Sequence, residues 1–285
     1  MLRGSDTDQR GGGAAMIVSG VQMAPAFMDK QANLSAIGRW IERAARDNAD
    51  LVVFPECALT GFGVESRDEA VATAEAVPGP ASESIAGVCA RTGCYAIVGL
   101  IEREGQRLYN SAIIVGPEGV VGRHRKAHLG PVGVDAYVDR GQALDVHRVC
   151  GARVGILICY ECRFPEAARV LAMKGAQILV IAANHPTGSE VNLRILSPAR
   201  AVENRVYVLH CNRTGSERGF TYVGQSVFYD PDGMALAVAS TDECSIVTSI
   251  DAVRGGLGKV VTAKSGIALD LRQDRRPELY KTLTE

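Results

Sequence analysis

Three segments of this chain end in side chains that can take part in covalent chemistry: a carboxylate, an amine and a thiol. Glu56 follows the apolar run 51–54 and a proline, Lys126 lies in a basic segment, and Cys159 follows the apolar run 156–158. A thiolate can attack a carbonyl carbon, a carboxylate can carry the proton, and an ammonium can stabilise the resulting oxyanion. Together these residue types indicate hydrolysis through a covalent intermediate.

Each of the three residues also has a simpler structural explanation when it is taken alone. A glutamate after a strand is usually a solvated loop residue, and a lysine among basic residues usually lies on a solvated face. A cysteine in an apolar run usually fills the core. The chemical interpretation therefore requires the three strand ends to converge, as strand ends do where ligands bind in open α/β sheets.

The cysteines permit a second interpretation, because Cys159 and Cys162 have the C-x-x-C spacing of redox and zinc sites. Zinc would need two more ligands at matching spacing, and the sequence has no second such pair and no paired histidines. We therefore predict no metal and keep redox or metal use as the minor alternative. The eight cysteines, mostly in apolar runs, favour reduced thiols in a cytoplasmic protein.

Short apolar runs alternate with helical patterns along the chain. Segment 30–48 has apolar residues at helical spacing, a helix over 84–92 ends at Gly93, and Pro165 and Gly175 bound a third helix. Runs of strand type lie at 16–21, 51–54, 95–101, 111–115, 154–159, 178–182 and 206–210. This alternation predicts an α/β fold, a sheet covered by helices, with chemistry-bearing residues at its strand ends.

Composition limits the possible functions and the organisation of the 285-residue chain. The net charge of −1 does not favour a nucleic-acid partner, and no apolar run is long enough for a membrane span. Residues 1–15 are polar and glycine-rich, which predicts a disordered extension. We predict one domain over residues 16–285, with a C-terminal arm from about residue 255.

Three longer motifs resemble the signatures of the nitrilase, or carbon–nitrogen hydrolase, superfamily. They are Phe54-Pro55-Glu56, the segment Arg125–Leu129 and the segment Cys159–Glu166, in the family's order. The resemblance continues from about Val18 to Tyr280. It implies a four-layer α-β-β-α sandwich, no cofactor of any kind, and a homodimer or larger homo-oligomer paired through helices.

The resemblance also implies roles for residues in these motifs. Cys159 is the expected nucleophile, Glu56 the proton shuttle, and Lys126 an oxyanion donor together with the backbone N–H of Tyr160. The start of the helix at Pro165 and the charge of Lys126 should favour the thiolate. The expected supporting acid is Asp135. Asn184 and His185 match a segment that lines the substrate pocket, where tryptophan is common at the position of His185.

The predicted substrate is a small amide such as an omega-amide, because Tyr160 after the nucleophile resembles amidase-like branches. An N-carbamoyl compound is the alternative substrate, and a nitrile is a weaker one. A non-catalytic binding protein on the same scaffold is a hypothesis from another class, against which the intact Glu56, Lys126 and Cys159 argue. A Cys–His protease is disfavoured because no histidine lies in a matching signature.

Overall fold

The apolar strand segments assemble into two six-stranded sheets in the computed structural model, which describes residues 15–262 and 266–284. The first sheet has the strand order β14-β1-β2-β3-β4-β5. Its strands are β1 (Met16–Gln22), β2 (Leu51–Val53), β3 (Tyr95–Glu104), β4 (Arg107–Gly116), β5 (Gly119–Arg125) and β14 (Cys244–Ile250). Strands β1, β2 and β3 are parallel, and the remaining pairings are antiparallel.

The second sheet repeats this arrangement with the order β13-β12-β9-β8-β7-β6. Its strands are β6 (Val146–Val149), β7 (Ala152–Ile158), β8 (Ile178–Ala183), β9 (Tyr207–Asn212), β12 (Val227–Tyr229) and β13 (Ala235–Val238). Strands β7, β8 and β9 are parallel at its centre. The short β10 (Ser216–Glu217) and β11 (Phe220–Thr221) form a separate two-residue ladder.

The two sheets face each other and helices cover the outer face of each, which gives a four-layer α-β-β-α sandwich. Apolar side chains pack between each pair of neighbouring layers. Between the sheets, side chains such as Val53 and Ile97 from the first pack with Ile156 and Val180 from the second. Gly20 lies at this interface, where a Cβ would come within 2.9 Å of the Leu209 side chain. The outer layers are formed by helices on the other face of each sheet.

Five α-helices are present in the described part of the chain. They are α1 (Lys30–Arg46), α2 (Arg67–Thr73), α3 (Pro80–Thr92), α4 (Pro165–Met173) and α5 (Ser197–Asn204). Helices α1 and α3 cover the first sheet, and α4 and α5 cover the second. The Asp29 side chain caps the start of α1, and Gly93, in the left-handed conformation, ends α3.

The predicted α/β class and the four-layer sandwich are confirmed, and most predicted elements lie within a few residues of the observed ones. Helix α2 is missing from the prediction. So is the pairing of β14 with β1, which joins Met16 to Ile250 across the whole chain. The predicted strands 51–54 and 154–159 each end one residue earlier, at Val53 and Ile158. Cys159 therefore lies after its strand, not in it, and Glu56 lies after its strand as predicted.

The sequence predicts an extension at the N-terminal end of the chain and an arm at the C-terminal end. Of the predicted extension at residues 1–15, only Ala15 belongs to the described residues. After residue 255 the chain forms the hairpin of β15 (Lys259–Thr262) and β16 (Ile267–Asp270), followed by mostly exposed short turns. The single domain and the arm stay predictions. Within the described ranges, no helix has both the length and the apolar character that a membrane crossing needs.

Candidate active site

The three chemistry-bearing residues lie directly after strands of the two facing sheets. Glu56 follows β2 and Lys126 follows β5, both in the first sheet. Cys159 follows β7 in the second sheet and begins a 3-10 helix over Cys159–Arg163. The two sheets bring the three groups close enough for the charges of Glu56 and Lys126 to act on the pKa of the Cys159 thiol.

Glu56 and Lys126 form the centre of a buried hydrogen-bond network. Lys126 Nζ lies 2.7 Å from Glu56 Oε1 and 2.6 Å from Asp135 Oδ2. Asn110 Nδ2 donates to Glu56 Oε1 at 2.7 Å and to Asp135 Oδ1 at 2.8 Å, and the backbone N–H of Gly130 also donates to Asp135. Two of the three Lys126 protons are used by these contacts, and the third, which has no partner among the described residues, can meet a developing oxyanion.

The environment of this network moves the pKa values of its members. Burial is the largest influence on Glu56 and raises the pKa of its carboxyl; the charge of Asp135 adds to the rise, and Lys126 opposes it. For Lys126, burial favours the neutral amine, but Glu56, Cys159 and Asp135 outweigh it and raise the pKa of the ammonium well above its usual value. Lys126 therefore stays charged, while Glu56 is suited to accept and return a proton near neutral pH.

One oxygen of Glu56 is not used by this network. Within the described part of the chain, the buried Oε2 has no hydrogen-bond partner. Because Oε1 is held by Asn110 and Lys126, the carboxylate is fixed in orientation and still presents one free acceptor. That is the arrangement a general base needs.

A glycine on β3 makes the position of Glu56 possible. A Cβ at Gly99 would lie 2.4 Å from Pro55 O, 2.5 Å from Cys57 N and 2.8 Å from Glu56 C. The backbone that carries Glu56 therefore packs directly on the β3 backbone, where no side chain fits. The amide of Leu59 bonds to Gly99 O at 3.0 Å and fixes the turn that follows.

The backbone at Cys159 turns sharply, with a φ of 48°, which is uncommon for a residue with a side chain. Glu161, fully buried, holds this turn. Its Oε2 accepts from the Ile158 amide at 2.8 Å and lies 2.7 Å from His124 Nε2, and its Oε1 accepts from the Ala127 amide at 2.9 Å. Glu161 thus ties the turn that carries Cys159 to the segment that carries Lys126.

The ionisation of Glu161 depends on these contacts. Burial alone would raise the pKa of its carboxyl, but the charge and hydrogen bond of His124, with further bonds from His128 and Ile158, bring that pKa well below its usual range. Glu161 is therefore a buried carboxylate with donors on both oxygens. His128 also stacks on Phe164, with ring centroids 4.1 Å apart.

The surroundings of Cys159 do not favour the thiolate that the sequence led us to expect. Burial is the largest influence and raises the pKa of the thiol well above its usual value, and the negative charge of Glu56 acts in the same direction. Lys126 and the backbone N–H of Asn184 oppose the rise. The resting cysteine is therefore a thiol, and a base has to remove its proton during the attack.

A histidine contacts the nucleophile, although no protease signature is present. His185 Nδ1 lies 3.6 Å from Cys159 Sγ and 3.1 Å from Asn192 Nδ2. Both contacts use the same ring nitrogen, so they do not form the linear Cys–His–Asn relay of thiol proteases. Burial, followed by the charges of His210 and Lys126, lowers the pKa of His185 well below its usual value. His185 is neutral and cannot store the proton of Cys159.

The remaining predicted residues lie around the same turn. Tyr160 has a half-exposed side chain that packs edge-on against Phe164 at 5.1 Å. Its backbone N–H is in the first turn of the 3-10 helix, where amides have no partner within the helix. Asn184 follows β8 and is buried; among the described residues neither atom of its side-chain amide has a hydrogen-bond partner.

Three residues of the site were missed in the sequence. Asn110 holds both acidic groups, and Glu161 anchors the nucleophile turn. Tyr222 pairs with Pro186, next to His185, and has a buried hydroxyl. Glu161 belongs to the motif Cys159–Glu166 and Asn110 directly precedes a predicted strand, but no role followed from residue type alone. Tyr222 lies in a stretch with no regular pattern, so nothing in the sequence indicated it.

No alternative site with metal chemistry is found in the described ranges. There, no group of three or more His, Cys, Asp or Glu side chains is arranged to hold a metal ion. A separate cleft of about 540 Å³ is lined by Arg107, Arg123, Arg125 and Arg140, among others, and contains neither Glu56 nor Cys159. The activity that these residues support is therefore that of a thiol, a carboxylate and an amine.

Comparison with known proteins agrees with this geometry. A family model described as carbon-nitrogen hydrolase matches residues 17–256. The chain is 34% identical over 266 residues to a nitrilase of Pyrococcus abyssi, covering 92% of this chain and 98% of that protein. It is 32% identical over 265 residues to an omega-amidase of Xenopus tropicalis, covering 88% of this chain and 92% of that protein.

Solved structures lead to the same group of proteins. An amidase from Nesterenkonia sp. AN1 matches with a TM-score of 0.79 and 25% sequence identity, covering 95% of this chain and 97% of that one. In that structure, a glutamate-to-glutamine variant, the acetamide moiety of fluoroacetamide is covalently added at the active-site cysteine.

Proposed function

The chain belongs to the carbon–nitrogen hydrolase family and is an amide hydrolase, and we propose that it cleaves a small amide through a thioester on Cys159. The products are ammonia and a carboxylic acid. The observation that carries the proposal is the ion-paired Glu56 and Lys126, buried 2.7 Å apart and close enough to Cys159 for both charges to act on its thiol.

Acylation begins with the protonated thiol. Glu56 Oε2 accepts the proton of Cys159 as the sulfur attacks the amide carbon, and a C–S bond forms. The third proton of Lys126 and the backbone N–H of Tyr160 stabilise the tetrahedral oxyanion. When the intermediate collapses, the C–N bond breaks and Glu56 returns the proton to the leaving nitrogen, which departs as ammonia.

Deacylation uses the same base on a water molecule. Glu56 removes a proton from water as its oxygen attacks the thioester carbon, and Lys126 again stabilises the oxyanion. The C–S bond then breaks, the acid leaves, and Cys159 recovers its proton. Asp135 and Asn110 keep Lys126 and Glu56 in position through both steps, by the contacts of 2.6–2.8 Å that they make.

The covalent acetamide adduct on the cysteine of the Nesterenkonia amidase supports this route, because that protein is similar over 95% of this chain. The chemistry needs neither a metal nor an organic cofactor. We also propose a cytoplasmic location. Its support is that all eight cysteines, each within the described residues, are free, as expected in a reducing compartment.

We propose in addition that two copies pair through the helices that cover the second sheet. Val170 on α4 and Val202 on α5 are 40% and 45% exposed, and Ile195, just before α5, is 61% exposed. Helices α4 and α5 pack side by side. Apolar side chains grouped on one face are typical of a surface that another protein covers.

An ammonia-release screen over small amides, N-carbamoyl compounds and nitriles tests the proposed function. We expect release from amides, with no carbon dioxide, and loss of release in Cys159→Ala. Carbon dioxide together with ammonia would instead identify the N-carbamoyl alternative, and turnover of nitriles alone would favour the activity named for the Pyrococcus relative. Ammonia release that survives Cys159→Ala would contradict the thiol mechanism.

A further inference from the structure

A group of buried polar atoms next to Cys159 lacks hydrogen-bond partners. The group comprises both amide atoms of Asn184, Oδ1 of Asn192, Nε2 of His185 and the hydroxyl of Tyr222, none of which has a partner within residues 15–262 and 266–284. Burying polar atoms without partners is unfavourable, so each such atom calls for an explanation, and a substrate that completes the bonds supplies one for atoms beside a nucleophile. Their position beside the nucleophile indicates that the ligand is the acyl part of the substrate.

Tyr222 lies between the His185 segment and Glu56. Its backbone pairs with Pro186, and the amide of the next residue, Val223, bonds to His185 O at 3.1 Å. Its ring is covered by the guanidinium of Arg213 at 4.1 Å. Burial is the largest influence on the pKa of the Tyr222 phenol and raises it, the charges of Glu217 and Glu56 add to the rise, and Arg213 opposes it. The hydroxyl therefore stays protonated and can donate a hydrogen bond.

His185 places a polar ring beside the sulfur on which the acyl group forms. Its Nδ1 lies 3.6 Å from the sulfur and 3.1 Å from Asn192 Nδ2, and its Nε2 has no partner in the described residues. In the acyl-enzyme, the carbon next to the former amide carbonyl is two bonds from the sulfur and therefore close to this ring. A hydroxyl on that carbon can accept from the Tyr222 hydroxyl and donate to a side-chain oxygen that lacks a partner, such as Asn184 Oδ1.

The charges around this pocket disfavour an acyl group that carries a carboxylate. Lys126 is already paired with Glu56 and Asp135, and the buried Arg213 is paired with Glu217 at 2.7 Å. His185 is neutral. Arg163, whose side chain is exposed, is a further cation near His185, and its charge also lowers the pKa of His185. A neutral polar substituent matches the buried groups better than a second anion would.

We propose that Tyr222 and His185 determine specificity and select small amides with a hydroxyl, or a similar uncharged hydrogen-bonding group, on the carbon next to the amide carbonyl. The inference rests on the proposed amide hydrolysis and names its substrate class. A site built to bond a substrate hydroxyl discriminates against analogues that lack it, because its polar groups are then left unpaired.

The test compares lactamide with isobutyramide, which has nearly the same shape but a methyl in place of the hydroxyl. We expect the wild-type protein to favour lactamide in kcat/KM by about tenfold to hundredfold. In Tyr222→Phe the ratio should fall towards one through loss of lactamide turnover. The thermal stability should stay unchanged, because the hydroxyl that is removed has no partner in the described chain.

Tyr229→Phe is the matched control. Tyr229 is also buried, but its hydroxyl donates to Leu193 O at 3.0 Å. This variant should lose stability and keep the lactamide preference. A wild-type ratio near one, or the same ratio in Tyr222→Phe, would overturn the inference. A preference for succinamate that disappears in Arg163→Gln would overturn it in favour of a carboxylate-bearing substrate.

Failure of the proposed function would give a different result from failure of this inference. If no amide is turned over, the proposed function is wrong, and the inference is then decided by calorimetric binding to Cys159→Ala. Tighter binding of lactamide than of isobutyramide would uphold the selected class, and equal or absent binding would overturn it.

Discussion

At the scale of single residues, the proposed mechanism depends on two roles: Cys159 is the nucleophile, and Glu56 is the base that takes its proton. The resting thiol is protonated because burial and the charge of Glu56 both raise its pKa. The same carboxylate offers one free oxygen, Oε2, as the acceptor for that proton. In the proposed mechanism, both acylation and deacylation therefore depend on Glu56, whereas a cysteine that is already ionised would need no base for its attack.

Glu56→Gln should trap the acyl-enzyme. The amide keeps the size of the side chain but cannot activate water, so deacylation should slow by about 10²–10⁴ or more. With an activated ester, which acylates readily, intact-mass spectrometry should detect an adduct equal to the acyl group. Cys159→Ala should show none. Near wild-type turnover in Glu56→Gln would mean that another base, such as Asp135, does the work.

Asp135→Asn should move the acid side of the pH–rate profile. The negative charge of Asp135 raises the pKa of Glu56, so its removal should lower that pKa, and activity should persist to lower pH. Asparagine keeps the size of the side chain but has one accepting oxygen, so it keeps the hydrogen bond from Asn110 or the one from Gly130, not both. The measurement is kcat/KM against pH. A lower maximal kcat/KM with no shift of the acid side of the pH profile would show that Asp135 has only a structural role.

At the scale of elements, close contacts between strands and turns position the site. The backbone around Glu56 lies on β3 at Gly99, and the turn at Cys159 is tied to the Lys126 segment by Glu161. Neither contact involves the reacting atoms. Both should still affect the reaction, since displacements of about 1 Å can cost about 10² in rate.

Gly99→Ala tests the first contact. The added Cβ would overlap Pro55 O and Cys57 N, so the strand or the Glu56 turn must shift. We expect kcat/KM to fall by about 10² or more. The control is Gly87→Ala on α3, where a Cβ meets nothing within 4 Å and helix propensity predicts a gain of about 0.5–1 kcal/mol. Equal activity of the two variants would contradict the positioning role of β3.

The pH dependence of stability tests the second contact. The pKa of the Glu161 carboxyl is lowered from an ordinary value of 4.5. Its carboxylate therefore stabilises the fold fully above that value, and the contribution is lost as pH falls below it. Glu161→Gln should lower the free energy of unfolding at pH 7 by about 3–5 kcal/mol.

Denaturant unfolding between pH 7 and pH 3 provides the measurement for Glu161. The wild-type protein should lose stability below about pH 4.5 more steeply than Glu161→Gln, whose amide does not titrate. Glu83→Gln, at an exposed position on α3, should behave like the wild type. Parallel curves for the wild type and Glu161→Gln would show that Glu161 does not carry this pH dependence.

At the scale of the whole molecule, we predict that the exposed apolar side chains on α4 and α5 pair two copies of the chain. Val170→Asp with Val202→Asp would place charges on the proposed pairing surface, where they would be buried without partners. Light scattering at micromolar concentration should give a dimer or larger assembly for the wild type and a 30.2 kDa monomer for the double variant.

Val71→Asp is the control for assembly. Val71 is similarly exposed, at 41%, but lies on α2, away from the proposed surface. This variant should assemble like the wild type. A monomeric wild-type protein, or dissociation by Val71→Asp as well, would contradict pairing through α4 and α5.

The sequence by itself predicted the α/β alternation of elements and marked the candidate reacting groups. The alternation of apolar runs with helical patterns predicted an α/β chain, and polar residues directly after strands marked Glu56, Lys126 and Cys159. These features are local, since side-chain periodicity and strand ends can be recognised within a few residues. The family motifs added the four-layer sandwich and the expected role of each group.

Only the tertiary structure decided how these groups are held and in which ionisation state they rest. Asn110 bonds Glu56 and Asp135, Glu161 joins two segments, and Tyr222 pairs with Pro186. These contacts span 25 to 54 positions of the chain. The thiolate expected at Cys159 was replaced by a thiol, because burial outweighs the helix start and Lys126. Desolvation and hydrogen-bond geometry depend on which distant segments pack together, and local sequence patterns do not encode that.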